Sequence, residues 1–432
     1  MKRIVATLGA LILSFPLFAQ NYNELNALFQ SSTVLNKHYV GFSLYDLAAK
    51  EYVYGQNEDK HFTPASNTKV FTLYTALKLL GDSIPAIAYV ERGDSLIFWG
   101  TGDPTFLHPK FKSQKVFQFL KDSNKKLYYA STKSQEPFYR NGWSVEDYEY
   151  YYQPEVSVFP MYGNVILFKE KSGELVLSPK YFDSYISHQD DTTSRFLIHR
   201  DYGSNKMNYN SAPLPKEYVN EKPFHVSDSL IQALLQDTLY RPVGLVGLPL
   251  PIDAKTLYSE KTGEVIREMM LPSDNFLAEQ LNMVASFVKN KSFQTKSLRQ
   301  QMQEDFYRFF PDTIELRDGS GLSSYNKITP RAMVTLLNWI HSDIPDEQTK
   351  LHLFPAGGIE GTLKGVYPTP GGKAFVWAKT GTINSVHCQS GYIITKQGRR
   401  YAFSFLNNNF MGSAGPIRRE MVKIVTYIYE NF

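Results

Sequence analysis

The sequence predicts a mixed α/β (α+β) fold in which a β-rich insertion splits one domain into two parts. A β-hairpin and an amphipathic helix occupy the first part, residues 21–88. Short alternating runs broken by Gly, Pro and Asp/Asn clusters fill residues 89–257, and helices, three strands and a closing helix fill residues 258–432. We therefore assign 21–88 and 258–432 to the split domain and 89–257 to one or two inserted modules.

Two elements of the first part follow directly from their residue patterns. The segment YVGFSLYDLAAKEYVYG, residues 39–55, contains two β-rich runs joined by a short polar turn, which predicts a hairpin. Apolar residues then recur at helical spacing, and Gly81 is a natural stop for the helix that they predict. These residues are Val70, Phe71, Leu73, Tyr74, Leu77 and Leu80.

The N-terminus has the organisation of a secretory signal peptide. Lys2 and Arg3 precede a short apolar stretch that is interrupted by Pro16, and Ala19 precedes a polar change. We expect cleavage near Ala19, so that residues 1–19 are removed and the mature protein is periplasmic. No later run of about 18 apolar residues predicts a transmembrane span in the mature protein.

Charge and cysteine content exclude two further classes of protein. The net charge is +4 without a long Lys/Arg run, so no nucleic-acid partner is predicted. Cys388 is the single cysteine, which excludes a scaffold held by disulfide bonds. Its neighbourhood, INSVHCQSGYII, predicts a strand that carries a buried and inert thiol.

The stretch TPASNTKVFT places Ser66 three residues before Lys69, at the predicted start of a helix. A serine at a helix start often serves only as a cap. The lysine adds a second property, because its side chain lies on the same face one turn later. A serine hydroxyl becomes a nucleophile when a base takes its proton, and a buried lysine can be that base. Ser66 and Lys69 are therefore candidates for a nucleophile and its base.

A second motif ends a predicted strand, where Lys379, Thr380 and Gly381 follow FVWA. Such a strand offers a substrate a cation and a hydroxyl, and the glycine has no side chain to block the approach of a substrate backbone. His387 lies nearby in the sequence, and we expect it to pack rather than to bind a metal. No His-Glu-x-x-His sequence predicts a metal site.

Two segments are candidates for a third motif that supplies a serine and an asparagine. Residues 273–275 have the literal Ser-Asp-Asn pattern, but they open an apolar helix for which Ser273 is a suitable N-cap. The segment DGSGLSSYN, residues 318–326, is a glycine-rich loop that brings Ser323 and Asn326 together. We favour the loop because catalytic residues are expected on chain that bends into a cleft. Residues 273–275 remain the alternative.

Ser-x-x-Lys, a Ser/Asn element and Lys-Thr-Gly together form the trio of β-lactamases and penicillin-binding proteins. With its flanking blocks, the sequence closely resembles the D-Ala-D-Ala carboxypeptidase/endopeptidase family of the penicillin-binding protein 4 type (low-molecular-mass class C). The resemblance covers nearly the whole mature chain and rests on FTPASNTKVFT, GTGDPTF, SDNFLAEQL, DGSGLSSYN, GGIEGTLKG and AKTGTINSVHCQSGYI. It implies a penicillin-binding/β-lactamase-like transpeptidase domain, split by modules that are inserted after the Ser-x-x-Lys helix.

The loop departs from the family pattern at one position. The family usually has Arg after the first serine of this loop, and here Ser324 stands in its place. The family register points to Ser323 with Asn326, whereas strict Ser-x-Asn spacing points to Ser324. We take Ser323 as the second catalytic serine.

The resemblance implies a serine DD-peptidase that acts on peptidoglycan stem peptides as a D-Ala-D-Ala carboxypeptidase, a DD-endopeptidase or both. Ser66 would form the acyl-enzyme with Lys69 as base, and β-lactams would be trapped there as covalent inhibitors. Ser323 and Lys379 would pass a proton to the leaving amine, and Asn326 would hold the substrate amide.

The resemblance also assigns substrate binding to the end of the Lys-Thr-Gly strand. Thr380 would bind the terminal carboxylate, Gly381 would leave room for the substrate, and the backbone N–H groups of Ser66 and Thr382 would hold the oxyanion. No metal or other cofactor is implied. Two alternatives remain: a β-lactamase or esterase of the same fold, and a non-catalytic cell-wall-binding protein.

Overall fold

A computed structural model describes residues 20–132, 136–190 and 193–432 of the chain. The predicted signal peptide, residues 1–19, lies outside the described residues. Within these ranges, no helix combines the length and the apolar character that are needed to cross a membrane.

The chain folds into two compact units. Unit 1 comprises the chain up to Tyr74 together with Met270–Ser273 and Gln303–Phe432, and unit 2 comprises Thr75–Met269 and Asp274–Met302. Both units are therefore built from separate stretches of sequence. The domain limits drawn from the sequence, at residues 88/89 and 257/258, stay a prediction.

Strands and helices are distributed over both units. In chain order, the strands of the described residues are β1 (Tyr39–Asp46), β2 (Glu51–Gln56), β3 (Ser83–Arg92), β4 (Ser95–Gly100), β5 (Lys126–Ala130), β6 (Val165–Lys171), β7 (Glu174–Ser178), β8 (Ile186–His188), β9 (Ile198–Arg200), β10 (Met207–Tyr209), β11 (Val219–Pro223), β12 (Val243–Val246), β13 (Lys255–Lys261), β14 (Val376–Ile383), β15 (Val386–Ile394) and β16 (Arg400–Asn408). The α-helices of the same residues are α1 (20–31), α2 (Lys69–Leu79), α3 (Lys115–Asp122), α4 (Asp228–Leu239), α5 (Thr262–Met270), α6 (Asn275–Asn290), α7 (Thr295–Asp305), α8 (Pro330–Asp343), α9 (Glu347–His352) and α10 (Gly415–Asn431). Short 3₁₀ helices are Leu35–Lys37, Ala65–Thr68, Val145–Asp147, Tyr162–Asn164, Lys180–Tyr185, Tyr307–Phe309, Gly361–Leu363 and Pro370–Gly372.

The centre of unit 1 is an antiparallel sheet of five strands in the order β14-β15-β16-β1-β2. The hairpin predicted over residues 39–55 forms β1 and β2, and the three predicted late strands form β14, β15 and β16. All residues of β15 except the last are buried, so elements cover both faces of the sheet. Phe42 and Phe405 belong to the core that includes α10, while α8 packs against β1 and β16.

The helices of unit 1 begin where the local sequence favours a start. The hydroxyl of Thr329 accepts a hydrogen bond from the backbone N–H of Ala332 at 3.1 Å, and Pro330 occupies the first helical position of α8. The helix predicted as far as Leu80 is α2, and a 3₁₀ turn precedes it. The closing helix predicted from residue 417 is α10.

Unit 2 contains a mixed five-stranded sheet in the order β12-β5-β4-β3-β13 and two three-stranded sheets, β11-β6-β7 and β8-β10-β9. Three of the short alternating runs expected in residues 89–257 are SLIFWG, KLYYA and NVILFKE, which form β4, β5 and most of β6. Leu120 of α3 and Leu234 of α4 share one core with Phe98 and Phe168 of the sheets. The segment predicted to be β-rich therefore also contains two helices that cover its sheets.

Candidate active site

The Ser-x-x-Lys segment lies at the start of α2. Ala65–Thr68 forms a 3₁₀ turn, and α2 begins at Lys69. The Ser66 side chain is partly buried, whereas the Lys69 side chain is fully buried. The Nζ atom of Lys69 donates a hydrogen bond to Ser66 Oγ at 3.1 Å. This distance allows the amine to take the hydroxyl proton without a rearrangement of the site.

The loop that begins at Asp318 packs directly on this turn. Lys69 Nζ also donates to the carbonyl oxygen of Ser320 at 2.6 Å. Gly321 has φ +81°, and a Cβ atom at this position would lie 1.9 Å from the carbonyl oxygen of Ala65. Glycine is required for such a close approach. The loop thus contributes a backbone carbonyl to the environment of the Lys69 amine.

Ser323 and Asn326 are fully buried and lie around the carboxylate of Asp318. Asp318 accepts hydrogen bonds from the backbone N–H of Ser323 at 2.7 Å and from Asn326 Nδ2 at 2.7 Å. Asn326 Oδ1 accepts from the backbone N–H of Arg317 at 2.6 Å, and Ser323 Oγ accepts from the backbone N–H of Tyr325 at 3.2 Å. These contacts hold the loop in its bent shape. Ser324, the competing serine, is exposed.

Lys379 lies on β14 and is fully buried. Its Nζ atom donates to Ser273 Oγ at 2.8 Å and to the carbonyl oxygen of Thr380 at 2.6 Å. Burial and the positive charge of Lys69 hold the pKa of Lys379 well below its usual range. The serine hydroxyl in contact with this lysine is therefore that of Ser273, the alternative that the sequence analysis favoured less.

The segment 273–275 differs from its predicted role. We predicted that Ser273 caps the following helix, but Asp274 is the N-cap of α6, and its carboxylate accepts from the backbone N–H of Leu277 at 2.9 Å. Ser273 instead has φ +68°, which leaves its hydroxyl for Lys379. Asn275 belongs to unit 2, where its Nδ2 atom donates to the carbonyl oxygen of Tyr152 at 2.9 Å.

Gly381 brings β14 close to the Ser-x-x-Lys turn. A Cβ atom at this position would lie 2.6 Å from the carbonyl oxygen of Pro64 and 2.9 Å from the backbone nitrogen of Ser66. Both are backbone atoms that cannot rotate away. The absent side chain therefore lets the strand approach the turn. The role in substrate approach stays a prediction.

Thr380 and Thr382 lie on the same face of β14 because side chains alternate along a strand. The Thr380 hydroxyl donates a hydrogen bond to Thr362 Oγ1 at 2.7 Å. Thr382 Oγ1 is 2.8 Å from Nδ1 of His387 on the neighbouring strand. Thr362 lies in the block GGIEGTLKG, and no sequence motif assigns a function to it.

The site thus contains two fully buried lysines, and each contacts a serine hydroxyl. Lys69 contacts Ser66 and Lys379 contacts Ser273. Such an arrangement can activate one hydroxyl for attack on a carbonyl and supply a second hydroxyl for proton transfer. In the described part of the chain, no group of three or more His, Cys, Asp or Glu residues is arranged to hold a metal ion.

A serine hydroxyl in contact with a buried lysine three residues later is the arrangement of the Ser-x-x-Lys class, which comprises β-lactamases and penicillin-binding proteins. Residues 22–427 match the model of the D-Ala-D-Ala carboxypeptidase 3 (S13) family, and the chain belongs to that family. The predicted activity, that of a serine-type D-Ala-D-Ala carboxypeptidase, is thereby confirmed.

Individual relatives agree with this assignment. The D-alanyl-D-alanine carboxypeptidase of Actinomadura sp. is 25% identical over 434 residues, which cover 87% of this chain and 78% of the relative. The D-alanyl-D-alanine carboxypeptidase DacB of Haemophilus influenzae is 32% identical over 165 residues, which cover 36% of this chain and 33% of the relative. The second match therefore spans about a third of each protein.

Solved structures confirm the predicted fold class. Penicillin-binding protein 4 of Haemophilus influenzae superposes with a TM-score of 0.74 at 20% identity, covering 94% of this chain and 99% of that protein. A predatory endopeptidase of Bdellovibrio bacteriovorus superposes with a TM-score of 0.51 at 14% identity, covering 90% and 94% of the two chains. These likenesses establish the fold.

Proposed function

We propose that Ser66 is the acylated nucleophile of a DD-peptidase that acts on peptidoglycan stem peptides, with Lys69 as its base. The observation that carries this proposal is the 3.1 Å contact between Lys69 Nζ and Ser66 Oγ. A lysine accepts a proton only as the neutral amine, and burial disfavours the charged form. The complete burial of Lys69 therefore favours the role of a base.

Ser273, together with Lys379, is a second candidate for the later proton transfer beside Ser323. The Ser273 hydroxyl is 2.8 Å from Lys379 Nζ, whose pKa is lowered by burial and by the charge of Lys69. A hydroxyl beside such an amine can relay a proton to the leaving amine of the substrate. Ser323 and Asn326 also hold the loop around Asp318, and their predicted catalytic roles stay a prediction.

The end of β14 supplies the binding groups for the substrate. Thr380 and Thr382 present hydroxyl groups on one face for the terminal carboxylate of the substrate, which can only accept hydrogen bonds. Thr380 must first release its hydrogen bond to Thr362 Oγ1. The backbone N–H groups of Ser66 and Thr382 form the oxyanion hole, and each donor of this type contributes about 3 kcal/mol to the transition state. This assignment supports a substrate that ends in a free D-alanine.

The chemistry balances without a cofactor. Ser66 Oγ attacks the carbonyl carbon between two D-alanines, and Lys69 takes the hydroxyl proton. The C–N bond then breaks, and the terminal D-alanine leaves as an amine after its nitrogen receives one proton through the second serine and Lys379. Water then hydrolyses the ester and restores Ser66. A crosslink that ends in a D-centre is cleaved by the same steps, and a β-lactam forms the same ester by ring opening.

The test uses purified protein with monomeric and crosslinked muropeptides, followed by mass analysis of the products. Loss of a terminal alanine demonstrates carboxypeptidase activity, and opening of crosslinks demonstrates endopeptidase activity. Ser66→Ala should abolish both activities and the covalent penicillin adduct, whereas Ser324→Ala, at an exposed neighbouring position, should retain them. Rapid penicillin turnover would indicate a β-lactamase, and the absence of any adduct would indicate a binding protein.

We also propose that residues 1–19 are a cleaved signal peptide and that the mature enzyme is periplasmic. The proposal rests on the basic start, the short apolar stretch and the small residue at Ala19. N-terminal sequencing of the protein from a periplasmic fraction should give a start near Gln20. Recovery of the full-length chain from the cytoplasm would contradict this location.

A further inference from the structure

His387 on β15 is the cross-strand neighbour of Thr382 on β14, the threonine proposed to bind the substrate. The two residues are paired in the antiparallel register of β14 and β15, and Thr382 Oγ1 is 2.8 Å from His387 Nδ1. The exposure of the two side chains differs strongly, because Thr382 is exposed whereas His387 is 1% exposed. The buried imidazole therefore contacts the Thr382 hydroxyl from the protein interior, and the other side of this hydroxyl faces solvent.

The protonation of the His387 ring follows from its surroundings. Burial, together with the positive charge of Arg418, lowers the pKa of His387 to about 4, so the ring is neutral at neutral pH. A neutral imidazole carries one proton, on either Nδ1 or Nε2. Nε2 is buried and has no hydrogen-bond partner among the residues that the structure describes.

The unpartnered nitrogen selects one of the two tautomers. A proton on Nε2 would bury an N–H donor without an acceptor, which is rare in native proteins. A proton on Nδ1 is satisfied by Thr382 Oγ1 and leaves only an unused lone pair on Nε2. The favoured tautomer is therefore Nδ1–H, in which Thr382 accepts a hydrogen bond and keeps its own hydroxyl proton for another partner.

We propose that His387 is a positioning residue that fixes Thr382 as a hydrogen-bond donor to the terminal carboxylate of the substrate. The neighbouring Thr380 differs, because it already donates its proton to Thr362 Oγ1. A carboxylate can only accept hydrogen bonds, so a threonine whose lone pair is occupied and whose proton is available suits it. This inference rests on the proposed function of the site and deepens it by naming the group that sets carboxylate recognition.

The test compares a peptide that ends in D-Ala-D-Ala with the same peptide carrying a C-terminal amide. His387→Leu should raise KM for the free acid about tenfold, the loss expected for one hydrogen bond to a charged group. The amide should change less than twofold, and kcat should be nearly unchanged because Ser66 and Lys69 are untouched. His387→Asn places a side-chain N–H near the position of Nδ1 and should restore most of the discrimination.

Thr382→Val removes the same hydrogen bond from the exposed side and provides the measurement if His387→Leu does not fold. It should reproduce the tenfold rise for the free acid. Equal effects on acid and amide, or no effect of Thr382→Val, would overturn the proposal. Nitrogen-15 spectra of the ring decide the tautomer independently of activity, and a protonated Nε2 would also overturn it. Wild-type protein that hydrolyses neither peptide would refute the proposed function, while the spectra would still decide the tautomer.

Discussion

Ser273 and Ser323 were both considered for the same catalytic role, and the surroundings of the two hydroxyls differ. Ser273 Oγ accepts from Lys379 Nζ at 2.8 Å. Ser323 Oγ accepts from the backbone N–H of Tyr325 at 3.2 Å, within a loop organised by the carboxylate of Asp318. A hydroxyl beside an amine of lowered pKa can exchange a proton, whereas a hydroxyl that accepts from the backbone stabilises a turn. The contact with Lys379 therefore adds Ser273 as a candidate beside Ser323, whose catalytic role stays a prediction.

The largest expected effect separates these two serines by activity. Ser273→Ala should lower kcat/KM on a D-Ala-D-Ala peptide by about a thousandfold, because general acid–base contributions are of this size. If Ser273 carries the proton transfer, Ser323→Ala should keep kcat/KM within severalfold and lower the free energy of unfolding by about 1 kcal/mol, the value of one net hydrogen bond. Steady-state kinetics and urea denaturation of both variants provide the measurement. The reverse ranking of the two activities would restore Ser323 to the catalytic role.

The next effect tests whether the Asp318 loop is structural. The carboxylate of Asp318 accepts hydrogen bonds from the backbone N–H groups of Gly321 and Ser323 and from Asn326. Asp318→Asn replaces one of the accepting oxygens by an NH₂ group, which can only donate. The free energy of unfolding should fall by about 3 kcal/mol, because buried donors then face a donor. Asp346→Asn, at the exposed N-cap of α9, is the matched control and should lose much less. Equal losses in the two variants would show that the carboxylate does not organise the loop.

Local sequence patterns predicted the fold class, the hairpin, the helix after Ser66 and the late strands, because each depends on short-range periodicity. Sequence motifs also predicted that Ser66, Lys69 and Lys379 belong to one site. They could not rank the segment 273–275 against the loop. The ranking depends on which serine meets Lys379, a contact between residues 106 positions apart. Nor could patterns predict that Gly321 packs on Ala65, because this contact joins residues far apart in the sequence.

Replacing Lys379 should have a smaller effect on stability, and this effect should be favourable although activity is lost. Lys379→Met should abolish turnover but raise the free energy of unfolding at pH 7 by about 1 kcal/mol, because it removes a buried group that is costly to charge. The folded-state pKa lies below the ordinary lysine value of 10.5, so between these values the unfolded chain binds more protons than the folded one. The free energy of unfolding of the wild type therefore rises with pH between these two values, whereas that of the variant does not.

The advantage of Lys379→Met should consequently shrink as the pH rises from 7 towards 10. Urea denaturation of both proteins at pH 7 and pH 9.5 measures this difference. An advantage that is independent of pH would show that packing, rather than the charge of the lysine, is its origin. Either result sharpens the contrast with Ser323→Ala, which should be equally unfavourable at both pH values because no ionisable group is removed.

The smallest effect concerns Thr362, which accepts the hydrogen bond of Thr380 at 2.7 Å. Thr362→Val removes this acceptor while keeping the side-chain shape, so the Thr380 hydroxyl proton becomes available to the carboxylate of the substrate. We expect KM for a free-acid peptide to fall about fivefold, close to the 1 kcal/mol of one net hydrogen bond. Thr362→Ser keeps the hydroxyl and should behave like the wild type. A fall of the same size in both variants would attribute the effect to packing of the Gly361–Leu363 turn. A fall in Thr362→Val alone would show that a threonine of this strand binds the carboxylate when its proton is available, which is the property that distinguishes Thr380 from Thr382.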